Sequence, residues 1–225
     1  MSQWIFIFLA IIVIIFILIL VVWLFFDHGI DKIKNREEWK DAGSSGERIV
    51  YKTLVEKFKI PEKQILRNVY IPVAGRTSEI DLIVISTKGI FIFECKNYGG
   101  NIYGDAKRQK WVQYIGNKKC YFYNPIFQNK NHEQNLRGFL EKNGIKAPII
   151  PLITTTSRGK WKIKNLDNND HILGINCHLR DIFRNTPKSE LAIKNYKKIL
   201  ESLSPLSRPS DEIRKAYIDA VTSRT

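Results

Sequence analysis

The residues with the clearest chemical potential are Asp81, Glu94 and Lys96. They belong to two β-rich runs, residues 80–85 and 90–96, separated by Ser86-Thr87-Lys88-Gly89. A spacer of that length ending in glycine predicts a hairpin with the glycine at its left-handed position. With those residues as the loop, Ile85 pairs with Ile90, and Asp81 then falls opposite Glu94. Because strand side chains alternate, Asp81, Ile83 and Ile85 are expected on one face, and Ile90, Ile92, Glu94 and Lys96 on the matching face. Two carboxylates opposed at the end of an apolar ladder repel each other and lose hydration. A divalent cation between them removes both costs, and oxygen ligands of this kind suit Mg²⁺ or Mn²⁺. The Lys96 ammonium alongside could orient or help activate a water, or stabilise charge building on a phosphate. The same residues also fit a strand end in which one carboxylate simply pairs with Lys96. Spacing alone leaves both readings open.

The elements that must hold these residues can be read on either side. Gly43-Ser44-Ser45-Gly46 is a linker and helix-start signal, with Ser44 or Ser45 as cap. Ile49, Val50, Leu54, Val55 and Phe58 recur at helical spacing, and Pro61 marks the end. Residues 64–73 alternate as a strand would. After the hairpin, residues 98–105 carry three glycines and read as a tight turning segment. Residues 107–115 and 118–123 read as aromatic-rich strands. Asn124-Pro125 breaks the chain, and residues 128–142 read as a helix. Residues 149–154 form a short buried strand, 171–175 a weaker one, and 189–203 and 210–221 terminal helices split by Pro205 and Pro209. The order predicts an α/β or α+β domain around one mixed sheet flanked by helices.

Charge is distributed unevenly along the 225 residues, with 36 Lys+Arg against 22 Asp+Glu and a net charge of +14. The 44% apolar composition is that of an ordinary folded protein, neither disordered nor polytopic. Residues 4–26 hold no charge at all. As a helix this run is about 35 Å long against a hydrocarbon thickness of about 30 Å, so one transmembrane span is expected. No basic n-region and no small-residue cleavage site accompany it, which disfavours a cleaved leader. Lys32, Lys34, Arg36 and Lys40 follow it closely, so the positive-inside rule places the remainder in the cytoplasm of a single-pass cell-membrane protein. Cys95, Cys120 and Cys177 are three and scattered, and read as reduced thiols. His28, His132, His171 and His178 show no ligand spacing, and His132 reads as a surface or packing histidine.

Asp81 followed by Glu94-Cys95-Lys96 resembles the D…(E/D)-x-K signature of the PD-(D/E)XK nuclease superfamily. An ordered set of further motifs is similar to the nuclease-related domain, NERD. These are Gly46-Glu47, residues 79–84 around Asp81, residues 89–98, Gly100-Asn101-Ile102-Tyr103-Gly104, Trp111, and Asn124-Pro125 followed by Gln128. Ile80 stands before Asp81 where the superfamily pattern has proline, and Leu82 stands where relatives often carry histidine. The resemblance implies a restriction-endonuclease-like core, with Glu47, Asp81 and Glu94 as ligands of Mg²⁺ or Mn²⁺, Lys96 as catalytic lysine and Gln128 at the site's edge. Viewed alone, Glu47 is a first-turn glutamate that the helix dipole favours anyway, and Gln128 is an unremarkable early-helix residue. The implied domains are 1–26 as anchor, 27–43 as juxtamembrane linker, 44–158 as the nuclease-like domain, and 159–225 as an extension of a strand and helices.

Nine basic residues and three acidic ones lie between Lys96 and Lys142, interleaved with Tyr98, Tyr103, Trp111, Tyr114, Tyr121, Phe122 and Tyr123. Lys107, Arg108, Lys110 and Lys130 are the expected contacts to a nucleic acid, DNA before RNA. Aromatics on strands serve equally as core, and basic side chains can face anionic lipid. A non-catalytic nucleic-acid-binding or membrane-surface module is therefore the alternative to a hydrolase. Homodimerisation is left open.

Overall fold

Three consecutive strands, β1 (Ile65–Val73), β2 (Arg76–Ser86) and β3 (Gly89–Lys96), form an antiparallel meander. The hairpin register is the expected one, with Ile85 opposite Ile90, Ile83 opposite Ile92 and Leu82 opposite Phe93. Ser86 also pairs with Gly89, so the turn proper is Thr87-Lys88, and Gly89 takes a φ of 145°. The computed structural model describes residues 16–17, 44–74, 76–156, 158–167, 172–174 and 178–207. It divides into two units, 1–44 and 45–225, and in the first only Phe16, Ile17 and Ser44 are described, each in a helix. The expected span at 4–26, apart from those two residues, and the linker at 27–43 lie outside the described residues, as do His28, His171, Cys177 and the helix expected at 210–221. Among the described residues no helix is long and apolar enough to cross a membrane.

Strands β7 (Ile149–Thr155) and β9 (Ile172–Gly174) extend the meander in parallel, giving the order β1-β2-β3-β7-β9. Helices cover both faces, so β2 and β3 read as nearly continuous apolar runs. Ile83, Ile85, Ile90 and Ile92 pack against Leu136 and Leu140 of α2 (Pro125–Lys142) and Ile199 and Leu203 of α4 (Glu190–Leu203). Leu82, Val84, Phe91 and Phe93 pack against Val50 of α1 (Ser44–Lys52), Leu54 of the π-turn that continues it, and Leu179 of α3 (His178–Asn185).

Alternation fails at one place, beside Asp81. Ile80 and Ile83 share a core cluster although three residues apart, and Leu66 and Val69 of β1 do the same. The β1–β2 ladder runs from Leu66–Ile83 and Arg67–Leu82 to Val69–Ile80, skipping Asn68 and Asp81. Asn68 sits there at φ 46°, a left-handed conformation that asparagine tolerates better than most residues. The single-face expectation drawn from Ile83 and Ile85 therefore stops short of Asp81.

A second sheet corrects the one-sheet expectation. Its order is β6-β5-β4-β8, built from β4 (Gly100–Asp105), β5 (Lys110–Ile115), β6 (Lys118–Tyr123) and β8 (Gly159–Lys164). The segment expected to be a tight turn is mostly β4. Its glycines serve close approach as well as turning, since a Cβ on Gly104 would lie 2.4 Å from the Trp111 ring. Trp111, Ile102 and Ala106 form a third core with Ile126 and Ile153, and β8 pairs with β4 in parallel.

Candidate active site

Two elements meet at Glu94. It ends the apolar part of β3, is 2% exposed, and continues the face of Ile90 and Ile92 toward α2. That helix is placed by Asn124, whose Oδ1 accepts from Ile126 N at 2.8 Å as the N-cap. The Asn124 Nδ2 donates to the carbonyls of Ala106 (3.1 Å) and Arg108 (2.8 Å), clamping the β4–β5 connection to the helix start. Pro125 follows at the first helical position, which needs no N–H donor. One turn further in, Gln128 and His132 share a helix face at i and i+4.

Five side chains, Gln128, Lys96, Glu94, His132 and Ser78, form a chain of contacts. Lys96 Nζ lies 2.6 Å from Glu94 Oε1 and donates to Gln128 Oε1 at 3.1 Å. His132 Nε2 lies 3.2 Å from Glu94 Oε2, and His132 Nδ1 lies 3.0 Å from Ser78 Oγ. The His132–Glu94 approach misses hydrogen-bond alignment, so Glu94 Oε2 is a fully buried carboxylate oxygen without a hydrogen-bond partner. His132 is thus a buried neighbour of the central carboxylate, not the surface or packing histidine expected, because the helix presents its i+4 position where Gln128 already points.

Asp81 sits just beyond the last paired rung of β2 and β3. Its Oδ2 accepts from the Cys95 backbone N–H at 2.7 Å. Glu47 approaches from the first turn of α1, where Asn68 Nδ2 lies 3.4 Å from Glu47 Oε2 and 3.3 Å from Glu79 Oε1. The left-handed Asn68 thereby bridges two carboxylates next to the break in the sheet. Gly46 permits the helix to come this close, since a Cβ there would lie 2.9 Å from the Cβ of Asn97. Asn97 in turn donates to Ser45 Oγ (2.6 Å) and accepts from Thr156 Oγ1 (2.7 Å), tying α1 to the ends of β3 and β7.

Electrostatics separate the two carboxyls. Burial, then Glu94 and then Glu47 hold the Asp81 carboxyl well above its ordinary value of 3.8. Burial would also raise Glu94, but the Lys96 charge and the His132 contact outweigh it and lower the group below 4.5. Burial would depress the Lys96 ammonium, yet Glu94 and, beyond it, Tyr98 and Asp81 raise it above 10.5. Lys96 is therefore a fixed cation, unable to serve as a general base near neutrality. Two of its three N–H donors are engaged by Glu94 and Gln128, which leaves the third for an incoming oxygen. The Cys95 thiol is raised by burial and by the Asp81 charge, making it a poor nucleophile.

The donor set fits a hard divalent cation in its chemistry: oxygen ligands, excess negative charge, and an unpartnered buried oxygen on Glu94. Its present geometry is not a closed cage. Among the described residues no group of three His, Cys, Asp or Glu side chains stands close enough to hold a metal ion. Lys96 holds one oxygen of Glu94 and His132 crowds the other at 3.2 Å without hydrogen-bonding it, so a cation would have to move at least one of them. Lys107, Arg108, Lys110 and Lys130 are exposed and lie outside this buried group, the first three on the β4–β5 connection and the start of β5.

Residues 42–156 match the model of the nuclease-related domain, a span that holds Glu47, Asp81, Glu94, Lys96, Gln128 and His132. The chain belongs to the NERD family. An uncharacterized protein of Bacillus anthracis is 31% identical over 186 residues, covering 82% of this chain and 76% of that one. No solved structure matches. Within the NERD domain, the residues missed by sequence reasoning are His132, Ser78 and Asn68. The i, i+4 spacing from Gln128 was a readable signal for His132. Asn68 carried none, because a left-handed residue inside a strand follows no period.

Proposed function

We propose that this NERD protein is a membrane-anchored, metal-dependent hydrolase of nucleic-acid phosphodiester bonds, with a restriction-endonuclease-like core facing the cytoplasm. The observation that carries this reading is geometric: buried Glu94 lies 2.6 Å from Lys96 Nζ, Gln128 holds that ammonium at 3.1 Å, and Asp81 beside them is fixed by the Cys95 N–H at 2.7 Å, an arrangement in which burial and charge push the two carboxyls in opposite directions. Neighbouring groups pushed in opposite directions are a mark of functional sites.

In hydrolysis, a water oxygen forms a bond to phosphorus and one P–O ester bond breaks; one of the water's protons ends on the departing alkoxide, which leaves as the alcohol, and the other passes to solvent. Lys96 offers its free N–H to a non-bridging phosphate oxygen as negative charge grows there. Gln128 fixes the direction of that ammonium from the other side. Glu94 keeps Lys96 charged and in place, and the packed β3–α2 face excludes bulk water behind it. Asp81, Glu94 and Glu47 would hold Mg²⁺ or Mn²⁺, which supplies charge neutralisation and Lewis acidity when bound.

The test is cleavage of single- and double-stranded DNA and RNA by the full-length chain with Mg²⁺ or Mn²⁺, against a Glu94→Ala, Lys96→Ala double variant. Removing both partners leaves no lone buried charge, so the control keeps its fold better than either single change. Activity equal in the two proteins would sink the proposal. One observation favours a second reading, a binding module without turnover: no three ligands converge among the described residues. Salt-dependent binding with no metal-dependent cleavage would select it.

A further inference from the structure

The four-stranded sheet buries one face and leaves the other open. Ile102, Trp111, Phe122 and Trp161 point into the third core. Alternation then places Tyr103, Tyr114 and Tyr121 outward on three adjacent strands. The register sets Tyr103 beside Lys162 and opposite Val112, which faces Tyr121 in turn, and sets Tyr114 opposite Lys119. Tyr103 is 39% exposed and Tyr121 65%. Lys160, Lys162 and Lys164 stand outward along one edge strand and are exposed. At the other edge Lys119 Nζ lies 4.8 Å from the centroid of the Tyr121 ring and 5.9 Å from that of Tyr114. The outward carboxylate on these strands, Asp105, is engaged by Asn165 Nδ2 at 3.0 Å and by the Lys107 N–H at 2.9 Å.

We propose that this face binds single-stranded nucleic acid, with bases stacked on the tyrosines and the backbone lying along the lysines. The proposal rests on nucleic acid being the partner, not on hydrolysis. Charge complementarity selects a polyanion, because lysines flank the rings at both edges and the one outward acid, Asp105, stands at the end of its strand with its oxygens taken up by Asn165 and the Lys107 N–H. Exposed planar rings select unpaired bases, since a duplex has its base faces covered already and offers only phosphates. A four-stranded sheet with aromatics on neighbouring strands can stack two or three bases in this way. A lipid surface is the poorer match. Its recognition calls for side chains that insert, whereas the large aliphatic Ile115 alternates to the opposite face and two of the outward rings, Tyr103 and Tyr114, are held against each other. Tyr103 and Tyr114 meet edge to face at 5.8 Å, and Lys162 Nζ lies over the Tyr103 ring at 5.1 Å.

The experiment is fluorescence anisotropy of a labelled twelve-nucleotide oligothymidylate with the full-length chain in EDTA, where no metal-dependent turnover interferes. Tyr121→Ala and Tyr103→Ala should each weaken binding about 5- to 150-fold, the range expected for one lost stacking ring. Tyr121→Phe and Tyr103→Phe should stay near wild type, which a role for the hydroxyl would not allow, and the alanine variants should melt near wild type, which a general structural effect would not allow. Lys119→Glu and Lys162→Glu should each flatten the salt dependence by ~0.7 or more in log–log slope. No binding to the oligonucleotide, or tyrosine variants that bind it as wild type does, would overturn the proposal. So would variants that lose binding only to phosphatidylserine-containing vesicles, which would make this a lipid face. Oligonucleotide binding that depends on the tyrosines, in a protein that cleaves nothing with Mg²⁺, would retire the hydrolysis reading and leave this one standing.

Discussion

Replacing Asp81 with asparagine should stabilise the metal-free protein while removing its response to metal. Asparagine keeps an oxygen for the Cys95 N–H, so the 2.7 Å hydrogen bond survives and only the charge is lost. Asp81 lies beyond the last paired rung instead of opposite Glu94; at a diagonal cross-strand separation of about 7 Å, two like charges at an effective dielectric of about 20 repel by about 2 kcal/mol. Asp81 is only part-covered, and Lys96 attracts it while Glu94 and Glu47 repel it, so the net gain should be about 1 kcal/mol. That corresponds to a rise in Tm of about 2–4 °C in a protein of this size. The folded Asp81 carboxyl titrates above its ordinary 3.8, so the folded state retains a proton that the unfolded state has lost. Wild-type stability from this group therefore falls as pH rises through that window, and the advantage of Asp81→Asn should shrink on acidification. Mn²⁺ at about 100 times its Kd should add about 2.7 kcal/mol to wild type and little to the variant. Thermal unfolding in EDTA and in Mn²⁺ across a pH series measures all of this. A variant that melts below wild type in EDTA at neutral pH, or gains as much from Mn²⁺, would refute the reasoning.

Other outcomes follow from the same geometry. His132→Ala strips Ser78 Oγ of its hydrogen bond and opens a gap beside the already unpartnered Glu94 Oε2, and should cost about 1–3 kcal/mol in denaturant unfolding and about 10- to 100-fold in cleavage. Asn124→Ala removes an N-cap and orphans two carbonyls, so its unfolding free energy should fall by about 2–4 kcal/mol, with activity falling as Gln128 and His132 shift. Gly104→Ala drives a methyl into the Trp111 ring and should cost about 1–3 kcal/mol, read by Tm and by Trp fluorescence. Glu94, lowered from 4.5, contributes stability present above that pH and lost as pH falls through its lowered value. A Glu94→Gln, Lys96→Met double variant should lack that part of the acid limb in a pH–stability profile.

The hairpin was legible because β-branched residues on both sides of a four-residue spacer admit one register that buries them. Asp81, Glu94 and Lys96 followed from it, and Gln128 from the resemblance. The second sheet was hidden for a physical reason. In Lys160-Trp161-Lys162-Ile163-Lys164 every outward position is lysine, and the run looks like a basic loop until β4 is known to need a partner. The glycines of β4 pointed to a turn, yet one of them exists to admit the Trp111 ring. In α3, Leu179, Ile182 and Phe183 sit at helical spacing, a period carried by only eight residues. The break in alternation at Asn68 and Asp81 is a property of two strands together, and one strand's pattern does not contain it.

The proposed hydrolysis depends on Asp81 and Glu94 together holding a divalent cation. The most direct measurement is anomalous diffraction from crystals of the protein grown with Mn²⁺. A peak is expected about 2.1 Å from an oxygen of each of these two carboxylates, with Lys96 or His132 drawn off Glu94 to admit it. A well-ordered site with Lys96 still on Glu94 and no peak between the two carboxylates would contradict it.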